Sequence, residues 1–180
     1  MNTPQTNRSL WIQALLDALD ASGVEGISAA AYLRARGTRL GFRRVRPQVG
    51  AFWTPWRSIG LNLAHFSAQT PCDDPRLLTL VIHEVRHLQQ GLWTALSVYG
   101  ELDAWQLQFR EYQRMTGSLL HPALRELLDL PLGWDRAVLR RARELMQAYA
   151  GKGYRVDLLP LYPLHREIAH LLSRRPPTGA

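Results

Sequence analysis

The stretch that decides the fold is residues 71–91, PCDDPRLLTLVIHEVRHLQQG. Asp74 followed by Pro75 favours a helix start, because aspartate caps a helix N-terminus and proline fits the first helical position. Seven leucine, valine and isoleucine residues follow before Gly91, which predicts the helix end. So few polar positions predict a central helix that is buried on most of its surface.

An H-E-x-x-H motif, His83-Glu84-Val85-Arg86-His87, stands inside this helix. Residues four apart lie above one another on a helix face, so the two imidazoles can bind one metal ion. Catalytic zinc takes three protein ligands and a water molecule. Glu84 lies at the edge of the same face, where it can take a proton from that water. The motif predicts a zinc site with His83 and His87 as ligands and Glu84 as general base.

The third ligand is predicted to be a carboxylate, because no histidine follows His87 at the spacing of a three-histidine site. The next helix is predicted at about residues 99–115. If the first helix stops near Gly91, the chain loops back, and Glu101 in the first turn of the next helix lies level with the histidines.

A longer first helix gives a different ligand. If it continues to about residue 98, the return helix starts lower, and Glu111 comes level with His87 at a rise of 1.5 Å per residue. Asp103 lies on the wrong side of a helix that presents Glu101. The residues leave both glutamates open.

The sequence HEVRHLQQ followed by GELDAW resembles the gluzincin group of zinc metallopeptidases, of the small, minigluzincin-like type. That group has H-E-x-x-H and then a glutamate ligand that opens E-x-x-A on the following helix. The resemblance implies a zinc-dependent hydrolase, most directly a metallopeptidase acting on a peptide or protein. It implies that zinc is held by His83, His87 and Glu101, that Glu84 is the general base, and that Ala104 lets the two helices approach.

The resemblance also covers the strand before the helix, and the chain departs from the family pattern at one position. The segment SIGLNL is similar to the edge strand on which such enzymes bind an extended substrate. Many members carry an aspartate four residues after the glutamate ligand, where it orients a histidine. Here that position is Trp105, so the orienting group is expected from elsewhere.

The expected fold class is α+β, with a small antiparallel sheet packed on a mainly helical, zincin-like domain. We expect one domain over residues 1–180, with a core of about 8–173 and a loose tail at 174–180. Short alternating segments predict strands in 40–45, 50–55 and 58–66. Apolar periodicity predicts further helices near 9–21, 121–130, 134–149 and 162–174.

Composition narrows the class of protein. The chain has 180 residues and near-average apolar and charged content, which excludes general disorder. No apolar stretch is long enough to cross a membrane, and Asp17 and Asp20 interrupt the place of a signal sequence. Cys72 is the only cysteine, so no internal disulfide forms. We expect a cytoplasmic protein.

Two other functions compete with hydrolysis. A non-catalytic zinc domain would bind a protein in the same groove. A nucleic-acid-associated protein would use the net charge of +7 and the six arginines of residues 34–46, with Phe42 available for stacking. No recognition motif accompanies these arginines, so nucleic acid is not expected as a partner. A deformylase is weaker still, because Cys72 lacks its motif.

Some supporting roles are also predicted. Catalysis needs a donor for the oxyanion, and the available side chains are Tyr112, His121, Tyr154, Tyr162 and His165. Arg86 points away from the ligand face and is expected to pair with a carboxylate. Gln90 can lie at the cleft edge, but a solvated glutamine is the expectation. The tryptophans at 53, 56 and 93 are expected to cap the core, and a tryptophan-rich substrate groove is the alternative.

Overall fold

Helices form most of the chain, and one small sheet follows the second helix. The computed structural model describes residues 4–118, 121–151 and 153–173. The helices are Pro4–Ala21 (α1), Val24–Arg36 (α2), Pro75–Gln90 (α3), Leu92–Ala95 (α4), Val98–Thr116 (α5), Pro122–Asp129 (α6), Arg136–Ala150 (α7) and Leu164–Ser173 (α8). The strands are Arg39–Arg43 (β1), Ala51–Thr54 (β2) and Ser58–Asn62 (β3), and Val156–Leu158 forms a 3-10 turn. The α+β class is confirmed.

The central helix α3 begins and ends where the sequence predicts. The Asp74 side chain accepts a hydrogen bond from the backbone N–H of Arg76 at 2.8 Å, and Pro75 occupies the first turn. Gly91 ends the helix with a φ of 76°, in the left-handed region that favours glycine. The short helix α4 follows at once, so the chain turns back without extending α3.

The sheet is mixed, which corrects the expected antiparallel arrangement. Its order is β1-β3-β2, with β2 antiparallel to β3 and β1 parallel to β3. The reason is the connection formed by residues 44–50, which carries the chain past the end of β3. The Asn62 carboxamide holds this connection by donating to the carbonyls of Arg46 and Val49 at 2.9 and 2.7 Å.

The strand order also corrects the assignment of the edge strand. The expectation that SIGLNL forms an edge is wrong, because β3 lies in the middle and pairs on both sides. The edge strand beside α3 is β2. Its backbone at Trp53 lies close enough to Glu84 to stabilise the ionised carboxylate.

The other elements agree with the sequence except at α2. The helix predicted at 9–21 starts earlier, at Pro4, and the three C-terminal helices form close to their predicted places. Helix α2 was not predicted from the sequence, and it buries mainly small residues such as Ala29 and Ala30. The expected loose tail at 174–180 lies outside the described residues.

Two groups of buried side chains form the interior. The first joins α1, α2, the sheet and α3, and includes Leu15, Leu61 and Val81. The second joins α5 to the C-terminal elements, and includes Leu102 and Met146. Helices α3 and α5 pack against each other where the two cores meet. Within the described residues, no helix is long and apolar enough to cross a membrane.

Candidate metal centre

Three possible ligand atoms converge between α3 and α5. The Nε2 atoms of His83 and His87 are 3.0 Å apart, and Nε2 of His87 lies 3.5 Å from Oε1 of Glu101. One ligand atom from each of these residues lies within 4.8 Å of the other two. Nitrogens bound at 2.0–2.1 Å to a tetrahedral ion are about 3.3 Å apart. The group can therefore hold one metal ion.

The early end of α3 explains why Glu101 faces the histidines. Ser97 begins α5 by accepting a hydrogen bond from the Gly100 N–H at 3.0 Å, and Glu101 follows in the first turn. Glu111 lies further along α5 and pairs with Arg114 at 2.7 Å. Of the two arrangements that the sequence leaves open, the structure has the one with a short α3.

Asp103 and Arg86 form an ion pair beside the site. The Nε atom of Arg86 donates to Oδ2 of Asp103 at 2.7 Å, and a second guanidinium nitrogen donates to Oδ1 at 3.1 Å. This confirms that Arg86 points away from the ligand face and pairs with a carboxylate. It also explains why Asp103 does not join the ligand group.

Burial shifts the pKa values of His83 and Glu84 on α3 in opposite directions. Only 6% of His83 is exposed, and burial, followed by the neighbouring His87, holds its pKa well below the usual range. The backbone of Ala104 and the side chain of Gln108 act in the opposite direction. A neutral imidazole is the form that binds a metal ion.

Glu84 has the opposite shift. It is 4% exposed, and burial, followed by the Glu101 carboxylate, raises its pKa well above the usual range. A carboxyl group in such surroundings holds a proton more readily than one in water. It is suited to accept a proton and to return it.

Gln90 orients His87, a contact that the sequence analysis missed. Its Oε1 lies 3.1 Å from Nδ1 of His87, and its Nε2 donates to the Gly100 carbonyl at 2.9 Å and to Asp103 at 2.7 Å. The amide oxygen accepts the Nδ1 proton, which leaves Nε2 of His87 free to bind a cation. The expectation of a solvated glutamine is wrong, because both ends of its amide are bound.

Tyr154 reaches the site from the C-terminal part of the chain. Its hydroxyl donates to Oε2 of Glu101 and accepts from Nε1 of Trp105 at 2.9 Å. Burial, followed by the Glu101 carboxylate, raises the pKa of Tyr154 well above the usual range. The hydroxyl therefore keeps its proton and remains a hydrogen-bond donor. Trp105 holds this tyrosine by its indole N–H.

Among the described residues, Tyr154 is the candidate donor that has a hydrogen bond to Glu101. Tyr112 and His121 line the same cleft. The Tyr162 hydroxyl donates to the Trp134 carbonyl at 2.8 Å, outside the cleft lining. His165 is not among the lining residues either.

The site opens into a cleft of about 770 Å³. One wall is strand β2 with residues 47–50, and the Trp53 ring lies 5.9 Å from the ring of His87. The opposite wall is aromatic and includes Phe109 and Tyr149. The cleft is large enough to admit a short stretch of polypeptide beside the edge strand.

Three remaining expectations concern side chains near the sheet and α3. Cys72 lies outside the ligand group, and burial raises the pKa of its thiol. Trp53 faces the cleft rather than capping the core. Trp56 and Trp93 are 78% and 57% exposed, so the expectation that they cap the core is wrong.

Comparison with known proteins gives no match among family models, curated proteins or solved structures.

Proposed function

We propose that the protein is a zinc-dependent hydrolase that cleaves peptide bonds. The observation that carries the proposal is the convergence of His83, His87 and Glu101, with Glu84 buried beside them at the base of a cleft. These residues have the types and order that the gluzincin resemblance implies. The neighbouring edge strand supports an extended peptide as the substrate, because its outer backbone groups can pair with one.

The donor set fits zinc. Two imidazole nitrogens and one carboxylate oxygen are ligands that zinc prefers, whereas Mg²⁺ and Ca²⁺ prefer oxygen. Gln90 accepts the Nδ1 proton of His87, so the Nε2 lone pair faces Nε2 of His83 at 3.0 Å. Among the described residues, the buried Nδ1 of His83 has no hydrogen-bond partner of good geometry. A zinc ion would be held by His83 and His87 through these ring nitrogens, in place of their contact with each other.

Each side chain has a distinct role in hydrolysis. His83, His87 and Glu101 would hold the zinc, which supplies Lewis acidity toward the scissile carbonyl and toward water when it is bound. Glu84 takes the proton from the attacking water and delivers it to the leaving nitrogen. The raised pKa of Glu84 favours this transfer, because the protonated carboxyl is stable enough to form and to react again.

Tyr154 is the donor that we assign to the developing oxyanion. Its hydroxyl is in the cleft, retains its proton and already donates to the Glu101 carboxylate. A small rotation can redirect that hydrogen bond toward a substrate oxygen. Trp105 limits the rotation by donating to the tyrosine oxygen.

Tyr154 favours hydrolysis over the alternative, a zinc-binding domain without activity. That alternative rests on two absences in the sequence, an orienting group for a histidine and an evident oxyanion donor. Gln90 supplies the orienting group, which supports metal binding in either case. Tyr154 supplies the donor, which a protein that only binds a partner does not need.

The test combines metal analysis with a peptidase assay. We expect about one zinc per chain by elemental mass spectrometry and cleavage within a quenched fluorescent peptide library. Glu84→Gln should keep the metal and lose hydrolysis by several orders of magnitude, because it removes only the proton acceptor. Glu126→Gln, on the exposed surface of α6, is the matched control and should change neither property.

Two results would contradict the proposal. Hydrolysis retained by Glu84→Gln would remove the role of this carboxylate. Zinc bound at one per chain, with no cleavage of any peptide by the wild type, would support the binding domain instead.

A further inference from the structure

The net positive charge of the chain is concentrated in one segment. Residues 26–72 contain seven arginines and no aspartate or glutamate, and the rest of the chain has fifteen basic and fifteen acidic residues. The segment therefore holds the equivalent of the entire net charge of +7. It includes all three strands of the sheet.

The sheet places two of these arginines on the face directed away from α3. Leu40 and Ile59 are neighbours in β1 and β3 and are buried on the inner face. Because side chains alternate along a strand, Arg39 and Arg43 project from the opposite face. Together with Arg8 of α1 they line a second cavity of about 430 Å³.

Two glycines make the floor of this cavity flat. A Cβ atom on Gly41 would lie 2.4 Å from a guanidinium nitrogen of Arg8, and one on Gly60 would lie 2.5 Å from the Phe52 ring. The missing side chains let the guanidinium group and the aromatic ring lie against the sheet. Arg8 is held there by donating to the Leu40 carbonyl at 2.8 Å.

The cations of this cavity have no carboxylate partners. No aspartate or glutamate lines the cavity, and within the described chain no ion pair involves Arg8, Arg39 or Arg43. Arg34, by contrast, pairs with Asp20 at 2.7 Å on a different surface. The cavity is therefore ready to receive negative charge from a ligand.

An exposed aromatic ring stands beside these arginines. Trp56, in the turn between β2 and β3, lines the cavity and is 78% exposed. Phe42, which the sequence analysis offered for stacking, instead packs on Trp11 with ring centroids 4.9 Å apart. The rings available to a ligand here are Phe52 and Trp56.

We propose that the outer face of the sheet binds single-stranded nucleic acid. Unpaired arginines suit phosphates, and exposed aromatic rings suit unstacked bases. A duplex keeps the faces of its bases inside the stack, so it would leave Trp56 unused. An acidic peptide would use the arginines but not the rings. Arg39, Arg43 and Trp56 line this cavity and not the metal cleft, whereas Phe52 lines both. The binding goes beyond the proposed hydrolysis and needs no bound metal.

The test is fluorescence anisotropy with the full chain and a labelled oligouridylate of about 12 nucleotides, a length that one small domain can cover. Affinity is measured between 50 and 200 mM salt. The double variant Arg39→Gln/Arg43→Gln should bind more weakly. The slope of log K against log salt concentration should become shallower by about 1.4, because each lost phosphate contact removes about 0.7 from the slope. Trp56→Ala should weaken binding roughly 5- to 100-fold with the salt dependence unchanged.

The control is a charge-matched pair on other elements, Arg110→Gln with Arg140→Gln, which should retain the wild-type affinity and slope. Unchanged circular dichroism identifies variants that are folded. Equal weakening by both pairs would show that only net charge matters and would overturn the proposal. So would the absence of oligonucleotide binding, including the case in which the same arginines bind vesicles containing phosphatidylserine.

Discussion

The Oε1 atom of Gln90 lies 3.1 Å from Nδ1 of His87, one helical turn earlier on α3. The same amide donates to the Gly100 carbonyl and to Asp103, both on α5. Gln90 therefore connects the orientation of one imidazole to the position of the helix that carries Glu101. The orienting contact for His87 thus comes from its own helix.

Removal of Gln90 is expected to weaken metal binding without unfolding the protein. Gln90→Ala leaves Nδ1 of His87 without its acceptor, and loss of such a contact lowers metal affinity about 10- to 100-fold. The measurement is competition for zinc with a chelator of known affinity. Gln89→Ala, the exposed neighbour, should match the wild type. Equal affinity in both variants would contradict the role of Gln90.

The two glutamates of α5 are expected to differ in their effect on zinc content. Glu101→Gln removes a charged ligand and should yield protein with much less than one zinc per chain after dialysis. Glu111→Gln removes the pair that this half-buried carboxylate forms with the exposed Arg114, outside the candidate ligand group, and should leave the zinc content at the wild-type level. Elemental analysis of the two proteins, purified together, compares them directly. If only Glu111→Gln loses zinc, the assignment of Glu101 as the third ligand is wrong.

Tyr154 is expected to affect turnover rather than metal binding. Tyr154→Phe removes one hydrogen bond to the oxyanion, and such donors contribute about 100- to 1000-fold to kcat. Zinc content should stay at the wild-type level. Tyr112→Phe, on the same cleft, is the matched control and should have a much smaller effect. If kcat is preserved in Tyr154→Phe, another group stabilises the oxyanion.

The cap at Asp74 is expected to stabilise the helix that carries both histidines. Asp74→Ala should lower the free energy of unfolding by about 1 kcal/mol, because it leaves the Arg76 N–H without its acceptor. Urea denaturation measures the difference, and the exposed Asp73→Ala is the control.

The cap also has an expected pH dependence. Partial burial raises the pKa of Asp74, but the hydrogen bonds from Arg76 outweigh it and lower the pKa below the usual 3.8. A carboxylate whose pKa is lower in the folded protein than in the unfolded chain stabilises the fold at a pH above its pKa in the unfolded chain. This contribution to stability is lost as the pH falls through the pKa of the folded protein. The difference between Asp74→Ala and the wild type should therefore be constant at neutral pH and disappear in strong acid. A difference that grows in acid would contradict this assignment.

Local patterns in the sequence predict the elements that position the metal group. Asp74, Pro75 and Gly91 define both ends of α3, because capping depends on residues adjacent in the chain. The end at Gly91 in turn places Glu101 opposite the histidines. This part of the site could be predicted because its ligands lie on two consecutive long helices joined by a short turn.

Contacts between distant parts of the chain are what the sequence does not reveal. The parallel pairing of β1 with β3 depends on the path of residues 44–50, which no local pattern specifies. Tyr154 lies 53 residues from Glu101 in the chain, and nothing near it distinguishes it from other tyrosines. Helix α2 was missed because its buried side is formed mainly by small residues, which give only weak hydrophobic periodicity.

The three candidate metal ligands come from helices of both cores, so a bound ion would connect the two. His83 and His87 belong to the helix of the first core, and Glu101 lies on α5 between Val98 and Leu102 of the second. An ion bound to all three residues would cross-link the two cores. When zinc is removed, amide hydrogens of α5 to α7 should exchange faster, while those buried within the first core change little. Loss of the ion is therefore expected to weaken the contact between the two cores before either core unfolds.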